Sequence, residues 1–136
     1  MSSRQRASSG SPYERTFGFC RAVRVGDRIT VAGTGPIEPD GTTTPGDAAA
    51  QAERCLTLIV AAIEELGGSA KDVVRTRMLL TDPADQEAVG AVHARFFEDN
   101  PPAATMAGMW TSATTTDSPT RCGPGGRVGS PTTATS

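Results

Sequence analysis

Cys20-Arg-Ala-Val-Arg-Val-Gly-Asp-Arg-Ile-Thr-Val-Ala-Gly-Thr-Gly35 decides the fold class. Apolar and polar residues alternate on both sides of Gly26-Asp27, with Ala22, Val23 and Val25 before it and Ile29 and Val31 after it. Period-two alternation around a two-residue Gly-Asp loop predicts a β-hairpin. Its second strand runs into Gly33-Thr34-Gly35, where missing side chains let a ligand or another backbone approach. The rim of this sheet is therefore expected to make contacts.

Downstream, the turn signal Pro39-Asp40-Gly41 lies in a Pro/Gly/Thr-rich loop from Pro36 to Gly46. Asp47 suits a helix N-cap. Ala52, Cys55, Leu56, Ile59, Ile63 and Leu66 follow at helical spacing, and Gly67-Gly68 stops the helix. Asp72 to Thr81 alternates as a strand. Asp82-Pro83 opens a second helix whose apolar face is Val89, Val92, Phe96 and Phe97, ended by Pro101-Pro102. A further strand is expected from Ala103 through Met106 to Met109. A strand-helix-strand crossover pairs parallel strands while the hairpin is antiparallel, so the sheet is mixed and the fold class α+β. Both helices then cover one face. The bare face implies self-association.

The chain has 136 residues, a mass of 14.0 kDa, 37% hydrophobic and 21% charged residues, and a net charge of -2. These values fit one globular domain and supply no global basic field for nucleic acid or an anionic membrane. Arg21, Arg24 and Arg28 read as a solvated sheet face. No apolar run reaches the 18 or so residues of a membrane span. Residues 1–15, Ser-rich at the start and without an apolar centre, read as a disordered tail of a cytoplasmic protein. Cys20, Cys55 and Cys122 have no metal-ligand spacing. Cys55 falls on an apolar helix face as a buried thiol. His93, the single histidine, sits mid-helix with no nucleophile in register and reads as packed or solvated.

From Trp110 the character changes. Residues 110–136 hold eight Thr, four Ser, four Gly and three Pro, and Val128 is the last large aliphatic. That composition cannot offset ordering entropy, so 110–136 is expected to be disordered, with the last strand missing. A strand burying three aliphatic side chains would contribute ~5–9 kcal/mol. The break reads either as a genuine divergent tail or as an out-of-frame reading of a GC-rich gene, and its sharpness favours the second.

Arg21-Ala-Val-Arg-Val-Gly-Asp-Arg28, Val31-Ala-Gly-Thr34, Gly46-Asp47 with Gln51, Asp72-Val-Val-Arg-Thr-Arg77, Thr81-Asp82 and Pro101-Pro-Ala-Ala-Thr-Met106 resemble, in that order, the RidA (YjgF) family. The resemblance spans 16–109 and implies a protomer like the small chorismate mutase, assembled as a homotrimer with three inter-subunit clefts. It implies hydrolysis of reactive 2-imino and enamino acids to 2-keto acids and ammonia, with no cofactor and no metal. Some relatives are described instead as ribonucleases.

A small carboxylate substrate is implied as partner, with no membrane and no nucleic acid. Phe19, Arg21, Gly33, Thr34, Ala104 and Thr105 are the implied substrate-binding positions. The family pattern has an Arg where this chain has Ala104, a Tyr where it has Phe19 and an Asn where it has Gly90, and no last-strand Glu is recognisable. Losing a charged hydrogen-bond partner costs roughly 1.5–3 kcal/mol, and losing an acid/base group about 10²–10⁴ in rate. No catalytic residue can therefore be assigned. Arg21 is either a substitute anion holder or a solvent-facing strand residue. A non-catalytic trimer holding small carboxylates and an RNA-acting protein are the alternative functions. The acidic balance opposes the second.

Overall fold

A computed structural model describes residues 3–108 and the backbone of 132–135. Its elements are β1 (Arg4–Ala7), α1 (Pro12–Phe17), β2 (Ala22–Val25), β3 (Arg28–Val31), α2 (Ala48–Glu65), β4 (Val73–Leu80), α3 (Gln86–Phe97), β5 (Ala103–Gly108) and β6 (Thr132–Thr135). The strands form one sheet in the order β1-β2-β3-β6-β4-β5. Among the described residues only β4 and β5 run parallel, and the other strand pairings are antiparallel. The α+β class and the mixed sheet are as the alternation predicts.

The two long helices pack on one face. Asp47 caps α2 by accepting from the Ala50 N–H at 2.9 Å. The predicted stripe of Ala52, Cys55, Leu56, Ile59 and Ile63 is buried against Ala22, Ile29 and Val31 of the hairpin. Val89, Val92 and Phe97 of α3 join the same core with Met78 and Leu80 of β4. At Gly68 a Cβ would stand 2.8 Å from Ile63 Cγ2 and 3.0 Å from Ile29 Cδ1, so glycine permits the close return of α2 to the sheet. The second helix begins later than Asp82-Pro83 suggests: Pro83–Asp85 is a 3-10 turn, capped by Asp82 on the Ala84 N–H.

Three expectations are corrected. The first concerns the N-terminal segment, read as disordered through residue 15. Here β1 lies antiparallel on β2, from Arg4 opposite Val25 to Ala7 opposite Ala22, and Ala7 is buried. In α1 the Ser11 and Glu14 side chains form a reciprocal capping box, Pro12 occupies the first turn, and Gly18 closes the helix at φ 73°. Serine richness masked these specific start and stop signals.

The second concerns the last strand, read as missing. β6 fills the centre of the sheet, with Arg28 opposite Thr135 on one side and Arg75 opposite Thr133 on the other. Backbone pairing with two neighbours needs no aliphatic side chain, and threonine is β-branched. The rest of the expected tail, residues 109–131 and 136, lies outside the described residues, as does the Met109 end of the strand predicted from Ala103.

The third concerns the hairpin arginines. They do not share a solvated face: Arg21 is buried, Arg24 reaches the end of α2, and Arg28 is exposed. Arg24 Nη1 donates to the Leu66 carbonyl at 2.6 Å, placing a cation at the helix C-terminus.

Candidate functional site

Arg21 stands just before β2, its N–H bonded to the Ala7 carbonyl at 2.9 Å. The residue is 5% exposed, which excludes the solvent-facing reading. Nη1 donates to the Gly33 carbonyl at 2.6 Å and to Thr34 Oγ1 at 3.0 Å, and Nε donates to Ser9 Oγ at 3.3 Å. Phe19 lies over the guanidinium, with the ring centroid 5.4 Å from Cζ. Thr34 is itself buried, and its hydroxyl donates to the Ala32 carbonyl at 2.9 Å. Arg21 thus clamps the Gly33-Thr34 loop to the N-terminal segment.

Glu14 completes the arrangement. Ser9 donates to Glu14 Oε2 through its hydroxyl at 2.6 Å and its N–H at 3.0 Å. Burial would raise the Glu14 carboxyl, but these hydrogen bonds and the charge of Arg21 outweigh it and hold the group below the usual carboxylate range. Burial pulls the Arg21 guanidinium down from its ordinary value, and Glu14 opposes that shift. Ser9 and Glu14 were not among the residues singled out in the sequence. The Ser11/Glu14 capping-box spacing was the signal that could have found Glu14.

Phe19, Arg21, Gly33 and Thr34 are brought together at one end of β2 and β3. A cleft of about 20 Å³ beside them, lined by Ser9, Arg21, Thr34 and Glu38 among others, has room for roughly one water. Open space lies over Gly33, where a Cβ would meet nothing within 4 Å. A groove of about 740 Å³ runs along the bare sheet face past Phe19, Cys20, Val23 and Thr30.

Ala104 and Thr105 are elsewhere. They lie on β5, and the order β3-β6-β4-β5 puts three strand spacings, roughly 14 Å, between them and β3. Ala104 is in register with Thr76 on the helix-covered face, and Thr105 with Arg77 on the bare face. A ligand of keto-acid size cannot touch both groups within one copy of the chain.

His93 is half-buried, with Nε2 2.8 Å from Oγ1 of the buried Thr76 and its ring 4.7 Å from that of Phe97. Burial lowers its pKa, so the imidazole is neutral at pH 7. Gly90 leaves ordinary contact room, with Met106 Cε 3.9 Å from where a Cβ would stand. Among the described residues no cluster of His, Cys, Asp and Glu could hold a metal, and no helix is long and apolar enough to cross a membrane.

The family model described as Endoribonuclease L-PSP matches residues 12–114. The chain belongs to the YjgF/RidA family. A Streptomyces coelicolor relative, itself uncharacterized, is 40% identical over 102 residues, covering 75% of this chain and 76% of its own length. The 2-iminobutanoate/2-iminopropanoate deaminase of Escherichia coli K12 is 30% identical over 82 residues, covering 60% of this chain and 64% of the enzyme. The crystal structure of Rv2704, a YjgF/YER057c/UK114 family member from Mycobacterium tuberculosis, superposes with a TM-score of 0.79 at 34% identity, covering 98% of this chain and 100% of that one.

Proposed function

We propose that this chain hydrolyses small reactive 2-imino and enamino acids to 2-keto acids and ammonia, in clefts that copies of the chain build together as a homotrimer and without a cofactor. The observation that carries this reading is the division of the site: the Phe19–Arg21–Gly33–Thr34 group and the Ala104–Thr105 pair sit on different parts of one sheet. In the proposed assembly a second copy laid over the bare face would bring its Phe19–Thr34 end toward Thr105, the member of the pair that lies on that face. Membership of a family that includes a named 2-iminobutanoate deaminase supplies the substrate class.

The chemistry asks little. Water oxygen bonds to the imine carbon, the C=N π pair moves to nitrogen, and nitrogen takes a proton. The carbinolamine then forms its carbonyl as the nitrogen leaves as ammonia. The chain must hold the carboxylate, place the water and relay protons. Arg21 acts here through the loop it clamps, because its Nε and one η nitrogen are already engaged.

A second reading, a trimer that binds small carboxylates without turnover, is favoured specifically by Ala104 and Phe19, which lack the guanidinium and hydroxyl of the family pattern. Ammonia release from freshly generated 2-iminobutanoate separates the two. Release above the spontaneous rate establishes hydrolysis, and saturable 2-ketobutanoate binding without it establishes the module. A salt-sensitive RNA gel shift would displace both.

A further inference from the structure

The bare face of the sheet is cationic. Arg4 and Arg6 of β1, Arg28 of β3, and Arg75 and Arg77 of β4 fall on it by register and alternation, and no strand of the described sheet contains an Asp or Glu. Within this face one place has the parts of a small-anion site. Arg75 Nη2 donates to Thr105 Oγ1 and Nη1 donates to the Ala103 carbonyl at 3.2 Å. The Thr105 oxygen is thereby used as an acceptor, which turns its own O–H outward as a donor.

Arg77 is directly opposite Thr105 in the β4–β5 register and is exposed. Among the described residues no carboxylate pairs with its guanidinium. The neighbouring β5 positions on this face are Ala103 and Ala107, so no large side chain of that strand occupies the space beside it. Arg75 two residues away adds a like charge, and a bound anion relieves the repulsion.

We propose that Arg77 and the Thr105 hydroxyl form the carboxylate-holding subsite of this chain, one strand away from Ala104, where the family pattern keeps its arginine. The guanidinium offers two parallel N–H donors to the carboxylate, and Thr105 donates a third bond to one oxygen. Arg75 is a positioning residue that orients Thr105. The ligand class, a small 2-keto or 2-imino carboxylate, rests on the function proposed above; the subsite itself rests on the β4–β5 geometry.

Calorimetric titration of the full chain with 2-ketobutanoate tests it, using wild type, Arg77→Ala, Arg77→Lys and, as a control on the same face, Arg28→Ala. Native mass spectrometry of each variant accompanies the titration. Arg77→Ala is expected to weaken binding roughly ten- to a hundred-fold, Arg77→Lys less, and Arg28→Ala little, with the assembly state unchanged. Equal binding by wild type and Arg77→Ala overturns the subsite, as does no binding by wild type. Ammonia release measured in parallel keeps the two proposals apart. Turnover with Arg77-independent binding removes the subsite and leaves hydrolysis standing. Arg77-dependent binding without turnover does the reverse.

Discussion

Arg21 shows how burial decides a side chain's use. From the sequence it is a strand arginine near a glycine-rich rim, equally suited to an anion or to solvent. In the structure it holds Gly33, Thr34 and Ser9, with Glu14 near enough to offset its charge. Arg21→Ala is therefore expected to lower the urea-unfolding free energy by about 1–3 kcal/mol, because it strands buried acceptors. An unchanged denaturation midpoint would contradict this. His93 gives a pH dependence. Its folded pKa lies below the ordinary 6.5, so the unfolded chain takes up a proton first as pH falls. Stability is then complete above about pH 6.5 and declines below it. Melting temperatures between pH 7 and 5.5 should fall less steeply for His93→Gln than for wild type. That window lies above the range where Glu14 titrates.

At the level of elements, the hairpin, both long helices and the parallel β4–β5 pair were legible, because each carries sustained periodicity and a recognisable start or stop. Ala52 through Ile63 could hardly be read otherwise. β1 and α1 were hidden by short length: four and six residues give no periodicity, and only capping chemistry marks the helix. Ser11→Ala should cost about 1 kcal/mol by removing the cap, read as a lower thermal midpoint. β6 was illegible for a different reason. Thr132-Thr-Ala-Thr135 has no apolar alternation, and its place depends on pairing with β3, roughly 100 residues earlier, and with β4, roughly 60 residues earlier. The candidate site was legible only in part. The resemblance picked out Arg21, Thr34 and Thr105 by position, but which donors they retain depends on contacts such as Ser9–Arg21 and Arg75–Thr105 that no local pattern encodes.

For the molecule as a whole, the function proposed above needs a neighbouring copy, because the site it uses is divided across one sheet. Exposed Val25 and Val74 are apolar surface that such a neighbour would cover. The central strand is open to direct test. Deleting residues 132–136 removes the pairing of β6 with both neighbours and should cost several kcal/mol, at about 0.5–1.5 kcal/mol net for each ladder hydrogen bond lost. Amide exchange in β3 and β4 should rise together, and protection that survives the deletion would contradict the pairing.

The position of β6 also bears on how the fold is reached. β1, β2 and β3 form one ribbon from consecutive segments, and β4 with β5 a second, but they are stitched edge to edge by a strand that follows both in the chain. A chain emerging in order presents two unpaired edges before the piece that closes them exists. Folding must wait for a long-range loop closure, which slows it and leaves a window for sticking to other chains. A holdase present during synthesis should accordingly raise the yield of native material more than one added afterwards.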